Sequence, residues 1–184
     1  MTKRIQLIAL VGLPGSGKTV AANFFRKHGF TVLRFGDQTD IGLKEQGLPR
    51  TEENEKTYRE KIRKDLGMAA MAIKIEPRIR EAMKKTDAIV LDGMRSLEEY
   101  TYLREKFPHL TTLCLYAPPA LRYQRLSKRK VRPLTAEESK LRDVDEVTTL
   151  HSGGPIALSE HLIKNEGSPD DFLFDLKAYL VSRL

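Results

Sequence analysis

The run Gly12-Leu13-Pro14-Gly15-Ser16-Gly17-Lys18-Thr19 constrains this chain more than any other segment. It fits the pattern G-x-x-x-x-G-K-[ST], a loop that wraps phosphates. The apolar residues before it, Ile5 to Val11, read as a strand buried on both faces. Lys18 to His28 read as a helix, stopped by Gly29. A phosphate chain needs several donors converging on it, and backbone N–H groups supply them only where the chain curls free of side chains. Gly12, Gly15 and Gly17 permit that curl, including positive φ. The helix N-terminus then points unpaired N–H groups and a partial positive charge at the same oxygens. Lys18 adds a full charge, and the Thr19 hydroxyl is a ligand for Mg²⁺. The expected ligands are ATP and Mg²⁺.

The rest of the chain supplies a matching scaffold. Its 184 residues suit one domain with a full core. Thr31 to Phe35, Asp87 to Asp92, Leu110 to Tyr116 and His161 to Lys164 read as four more strands. Between them, helices are expected over Glu52 to Leu66, Leu97 to Lys106, Ala120 to Lys128 and Pro169 to Arg183. A Met/Ala/Ile-rich helix follows Gly67, with Pro77 expected to kink it or to restart it before Arg78 to Lys85. Lys130 to Leu141 reads as polar and irregular at first, and His151 to Gly154 as a connector. Alternating strands and helices predict a three-layer α/β fold with a parallel five-stranded sheet. The expected division is a core (1–36, 86–128, 155–184), a helical acceptor-binding insertion (about 37–85) and a small lid (about 129–154).

The opening residues Met1 to Gly12 are basic and then apolar but are not read as a signal peptide, because no small-residue cleavage site follows and the apolar run leads into the glycine loop. No apolar run approaches the roughly 18 residues of a membrane span. Cys114 is the single cysteine, so no internal disulfide forms, which fits a cytoplasmic setting. The four histidines have no paired metal-ligand spacing. No feature specifies an oligomer.

A second carboxylate is expected beside the loop. Asp92 ends the run Ala88 to Leu91, at the carboxyl end of a strand, where ligands of open α/β sheets gather. It is placed to organise Mg²⁺ through water. Arg95 follows three residues later, as a bidentate grip for a second phosphate. The net charge is +7, and eight basic residues fall between Leu121 and Arg142. Such concentration favours a specific anion site over a solvated face. Nucleic acid is disfavoured, because Tyr123 is the one aromatic in the cluster.

These motifs, in this order, resemble the nucleoside monophosphate kinases: GLPGSGKT, Gly36-Asp37, Asp92-Gly93-Met94-Arg95 and Arg125-Leu126-Ser127-Lys128-Arg129. The resemblance is closer still to a set of prokaryotic P-loop proteins described as adenylate-kinase-related or dephospho-CoA-kinase-like. There DGMRSLEE (92–99), RLSKR (125–129), Arg142-Asp143 and NEGS (165–168) all have counterparts. The resemblance implies roles. Arg125 would lie against the adenine, and Asn165 to Ser168, with Gly167, would pass the base through backbone contacts. Arg129 and Arg142 would close on the transferring phosphoryl group, and Arg95 would hold the acceptor phosphate. One departure matters. Asp40 stands where those families carry an arginine, which puts two carboxylates, Asp37 and Asp40, near the acceptor. Either Arg59 or Arg63 restores the charge, or the acceptor is not a monophosphate bound there. Asp37 has two further readings, as a base for a sugar hydroxyl or as a helix N-cap.

Three functions follow as expectations. The first is an ATP-dependent kinase acting on a small nucleotide-like acceptor, with Lys18, Arg95, Arg129 and Arg142 stabilising the charge. The second is a dephospho-CoA kinase with Asp37 as base. The third is a nucleotide-controlled binding protein with slow hydrolysis.

Overall fold

The computed structural model describes residues 5–183, so the outer limits of the expected core lie outside the described residues. Five strands are present: β1 (Gln6–Val11), β2 (Thr31–Arg34), β3 (Ala88–Asp92), β4 (Leu110–Tyr116) and β5 (His161–Lys164). They form one sheet in the order β2-β3-β1-β4-β5, and every neighbouring pair is parallel. All five strands fall where the hydrophobic runs place them.

The central strand shows why. Leu7, Ala9 and Val11 enter one apolar cluster, and Ile8 and Leu10 enter the other. Alternate side chains point to opposite faces of a strand, so a strand covered on both sides must be apolar throughout. Helices α1 (Lys18–Lys27) and α9 (Pro169–Val181) cover one face with Ala21, Phe25, Phe172 and Leu176. On the other face, α3 (Glu52–Leu66), α4 (Ala70–Met83) and α5 (Leu97–Lys106) contribute Tyr58, Ile62, Ile75, Ile79 and Leu103. This is the three-layer α/β fold. The chain leaves β1 toward β3 and β2 on one side, then crosses to β4 and β5 on the other. The crevice outside the carboxyl ends of β1, β3 and β4 is therefore the ligand position of an open sheet.

Three departures from the expected elements have physical causes. First, α4 runs unbroken through Pro77. A proline in a helix interior costs roughly 3 kcal/mol. Here Ala70, Ala72, Ile75 and Ile79 are fully buried, and each buried isoleucine is worth roughly 1.5–3 kcal/mol, so burial wins. Second, the expected helical insertion opens with a helix, α2 (Asp37–Glu45), whose bounds the chain does not predict. A Cβ at Gly42 would lie 2.0 Å from Tyr58 Cζ, so the glycine is set by the packing of α2 on α3.

Third, the region beyond Pro133 is mostly helical: α6 (Pro119–Ser127) is followed by α7 (Ala136–Thr148) and the short α8 (Gly153–Ala157). Thr135 and Glu138 form a reciprocal capping box that starts α7. The pattern hid this helix because its polarity is inverted. Its buried positions are Ser139 and Glu146, while Leu141 and Val144 are exposed. The expected connector at 151–154 instead packs down: Ser152 is buried and a Cβ at Gly154 would press on Leu97. No helix among the described residues is long and apolar enough to cross a membrane.

Candidate active site

The phosphate loop adopts the curl its glycines permit. Gly12, Gly15 and Gly17 have φ of 138°, 84° and 108°. All three are also fixed by contact, Gly15 because a Cβ there would come within 2.9 Å of the Arg122 carbonyl oxygen. A Cβ on Gly12 would come within 2.4 Å of the Leu115 carbonyl oxygen, and one on Gly17 within 2.3 Å of Asn165 Nδ2. The Lys18 ammonium donates to the carbonyl oxygens of Gly12 and, at 3.1 Å, Leu13. Burial, with Arg95 nearby, lowers its pKa to about 8, against the opposing pull of Glu146 and Asp92. Thr19 is exposed on the first turn of α1. Asp92 ends β3, and burial raises its pKa, partly offset by Lys18 and Arg34.

A cleft of about 1210 Å³ opens over this loop. Single small-molecule pockets span roughly 300–1,000 Å³, so the space accommodates more than one ligand. Its walls include Gly12, Pro14, Gly15, Gly17, Lys18, Thr19, Asp92, Arg95, Arg125, Arg129 and Arg142, all expected from sequence. A hydroxyl and a carboxylate at its floor are hard oxygen donors, the set that suits Mg²⁺ when phosphates and water complete the shell. Among the described residues, no group of three or more His, Cys, Asp or Glu side chains is arranged to hold a metal alone.

Several expected residues are not in the cleft wall. Leu13 and Ser16, though in the loop, do not line the cleft, and Ser16 is buried. Asn165 is a strut. Its Nδ2 donates to Ser16 O at 2.9 Å, its N–H donates to Tyr116 O at 2.7 Å, and its O and Oδ1 accept from Arg125 Nη2. Its backbone is thus already engaged, and it braces the phosphate loop. Gly167 sits where α9 is capped, with Asp171 Oδ2 2.8 Å from the Cβ it lacks. Asp37 is also turned away. Its carboxylate accepts from Arg78 at 3.2 Å and pairs with Arg34 at 3.9 Å. Asp37 is the first residue of α2 and makes no capping bond.

The basic cluster divides by helix face. Arg122, 3% exposed, holds the Asp143 carboxylate bidentately at 2.8 and 2.6 Å and donates to the carbonyls of Pro14 and Ala117. It ties the phosphate loop to α7 and is not available to an anion. Arg125, Arg129 and Arg142 face the cleft instead. Arg142 reaches Glu146, as does Arg95, at 3.7 and 3.1 Å.

The side of the cleft formed by α2 and α3 resolves the question raised by Asp40. That carboxylate pairs with Arg50 at 3.0 Å. Arg59 is engaged by Glu55, as are Arg50 and Arg132. Arg63 also lines the cleft, yet its guanidinium makes no ion pair or hydrogen bond among the described residues. Burial lowers its pKa, and it lies in the field of Glu99 and Arg95. Glu99 accepts from the backbone N–H groups of Arg95 and Ser96 at 2.7 and 3.2 Å, and so fixes the turn that carries Arg95. Burial raises its pKa to about 7. Glu99 was legible as the last member of the capping box Ser96-x-x-Glu99. Glu146 carried no signal in the sequence, because α7 turns it inward while Leu141 and Val144 face out.

The Lys18 geometry sets a pH dependence for any bound polyphosphate. Phosphate oxygens favour the ammonium, so binding takes up a proton wherever free Lys18 has lost it. Mg-ATP affinity should stay level below about pH 7.5 and fall above, reaching about tenfold weaker at pH 9 than at pH 7. Calorimetric titration at the two pH values measures this; equal affinity at both would contradict the assignment of Lys18.

The comparisons with known proteins agree with this geometry. The model of an AAA domain matches residues 8–149. A UPF0200 protein of Pyrococcus abyssi is 35% identical over 178 residues, covering 95% of each chain. Among solved structures, a Thermus thermophilus protein superposes with a TM-score of 0.64 at 22% identity, covering 98% of both chains. A shikimate kinase from Acinetobacter baumannii, solved with shikimate, gives 0.58 at 17% identity over 98% of this chain and 96% of its own. Identities at that level establish the shared fold. The domain match and the near-complete relatives establish kinship: the chain carries an AAA-type domain and belongs to the UPF0200 family.

Proposed function

We propose that the protein is an ATP-dependent phosphotransferase whose acceptor is a small, phosphate-bearing, nucleotide-like molecule. The observation that carries this is the unpaired guanidinium of Arg63 beside Arg95, at the acceptor side of a cleft with a phosphate loop at its floor. Arg95 is met by Glu146, whereas Arg63 has no paired anion among the described residues, and an anion between the two guanidiniums would relieve their repulsion. The cleft lining also includes the apolar side chains of Phe35, Met68, Met71, Pro155 and Ile156. A flat base fits such a wall; a polyhydroxylated acid does not. The two carboxylates that seemed to exclude a phosphate are neutralised, Asp37 by Arg78 and Asp40 by Arg50.

In this reading the phosphate loop and Lys18 hold the β- and γ-phosphates. Thr19 and Asp92 would hold Mg²⁺, which supplies positive charge to the phosphate oxygens. Phosphoryl transfer asks the protein for position and charge rather than covalent chemistry. Arg95, Arg129 and Arg142 supply the charge around the moving group, in a site from which water is excluded. Residues 37–85 receive the acceptor, and residues 129–154 close over it. A dephospho-CoA kinase needs a base near the acceptor hydroxyl, and Asp37 is engaged outside the cleft wall.

Arg63→Ala tests the acceptor side. A charge-assisted hydrogen bond is worth about 1.5–3 kcal/mol, so the KM for the acceptor should rise about 10–100-fold with the KM for ATP nearly unchanged. Equal effects on both constants would count against the placement of the acceptor phosphate.

A further inference from the structure

Glu146 is 4% exposed and lies in the cleft wall, facing the phosphate loop. A buried carboxylate beside a phosphate-binding loop is unfavourable for the anion the loop is built to take. It is also costly unless cations meet it. They do: Arg95 Nη1 lies 3.1 Å from Glu146 Oε1, and Arg142 Nε lies 3.7 Å from the same oxygen. Its charge also reaches the Lys18 ammonium and raises the pKa of that group. Two cations from separate elements thus pair with one oxyanion, Arg95 after β3 and Arg142 on α7, while Lys18 on α1 lies within its field.

We infer that Glu146 is a specificity-determining residue that stands in for the terminal phosphate of the nucleotide. It gathers Arg95 and Arg142 over the loop and yields them when a γ-phosphate arrives. It therefore competes with the γ-phosphate and not with the α- and β-phosphates, which bind along the loop backbone. This sets how strongly the protein prefers a triphosphate to a diphosphate, and it lets the product ADP leave a site whose cations have returned to Glu146. The inference rests on the reading of the cleft as a nucleotide site but not on any acceptor.

The test is calorimetric titration of the wild type and Glu146→Gln with Mg-ATP and with Mg-ADP. Glutamine keeps the shape and removes the charge. ATP affinity should rise about tenfold, the worth of one recovered charge-assisted bond, while ADP affinity stays within about twofold. A merely structural role would weaken both nucleotides together and overturn the inference. A loss of ATP affinity alone would also overturn it, since it would make Glu146 an aid to γ-phosphate binding. If Glu146→Gln does not fold, Glu146→Asp, which keeps the charge but shortens its reach, should shift the ATP-to-ADP preference in the same direction by less; an unchanged preference would overturn the inference. The wild type binding neither nucleotide would instead defeat the proposed function itself.

Discussion

Lys18→Met is expected to lower nucleotide turnover by at least about 100-fold, the scale of losing one charged donor to a transferring group. The same variant should melt no lower than the wild type. The reason is the environment of the amine. Its pKa falls from 10.5 to about 8, chiefly through burial. The folded pKa lies below the unfolded one, so between those values the unfolded chain holds more protons. Stability therefore climbs as pH rises from about 8 toward 10.5, and at neutral pH the buried charge costs about 3 kcal/mol. Methionine keeps the stem and removes the charge. It leaves the Gly12 and Leu13 carbonyls without their donor, which offsets part of the gain. A residue that costs stability and sustains activity belongs to a functional site. Turnover and thermal melts measured together decide the point: a large fall in melting temperature with turnover retained would make Lys18 a structural lysine.

Arg122→Ala is expected to act on stability first. It strands the Asp143 carboxylate, which keeps only the Tyr123 hydroxyl at 2.9 Å, and it frees the Pro14 carbonyl at the back of the phosphate loop. Removing one partner of a buried ion pair costs about 3–5 kcal/mol. In a chain of this size that lowers the melting temperature by about 6–20 °C. Nucleotide affinity should fall as well, because Arg122 braces the loop from behind. Arg125→Ala, three residues along the same helix, removes a partly exposed guanidinium whose bonds to Asn165 strand no buried carboxylate, and should lower the melt by clearly less. Similar melts for the two variants would mean that the bridge from Arg122 to Asp143 does not tie α7 to the loop.

The contrast between these arginines shows what the sequence carries. The phosphate loop was legible because its function resides in backbone shape, and glycine spacing reports backbone shape directly. The strands were legible because a parallel sheet buries both faces. The division of the basic cluster was not. Arg122 and Arg125 are three residues apart on one helix, and which of them meets the loop and which meets the cleft depends on how α6 lies against Pro14 and α7. No local pattern encodes that. Asn165 was legible as important but not in its role, since its neighbours Ser16 and Tyr116 come from distant elements. The helix α7 was obscured by placing Leu141 and Val144 outward and Glu146 inward, the reverse of an ordinary amphipathic helix. That inversion is what puts a carboxylate beside Arg95. The neutralising of Asp40 by Arg50 depends on a contact across the α2–α3 connection, so the charge conflict visible in the chain is resolved only in space.

The measurement that bears most directly on the central claim is ADP release from Mg-ATP against a set of acceptors. The set comprises ribo- and deoxynucleoside monophosphates, dephospho-CoA, shikimate and gluconate. The account expects one nucleoside monophosphate to stimulate release to a turnover on the order of 1–100 per second, with the phosphoryl group recovered on that acceptor. Stimulation confined to shikimate or gluconate would contradict the phosphate-bearing acceptor. Tight nucleotide binding with no stimulation by any phosphate-bearing compound would contradict the kinase reading and leave a nucleotide-controlled binding protein in its place.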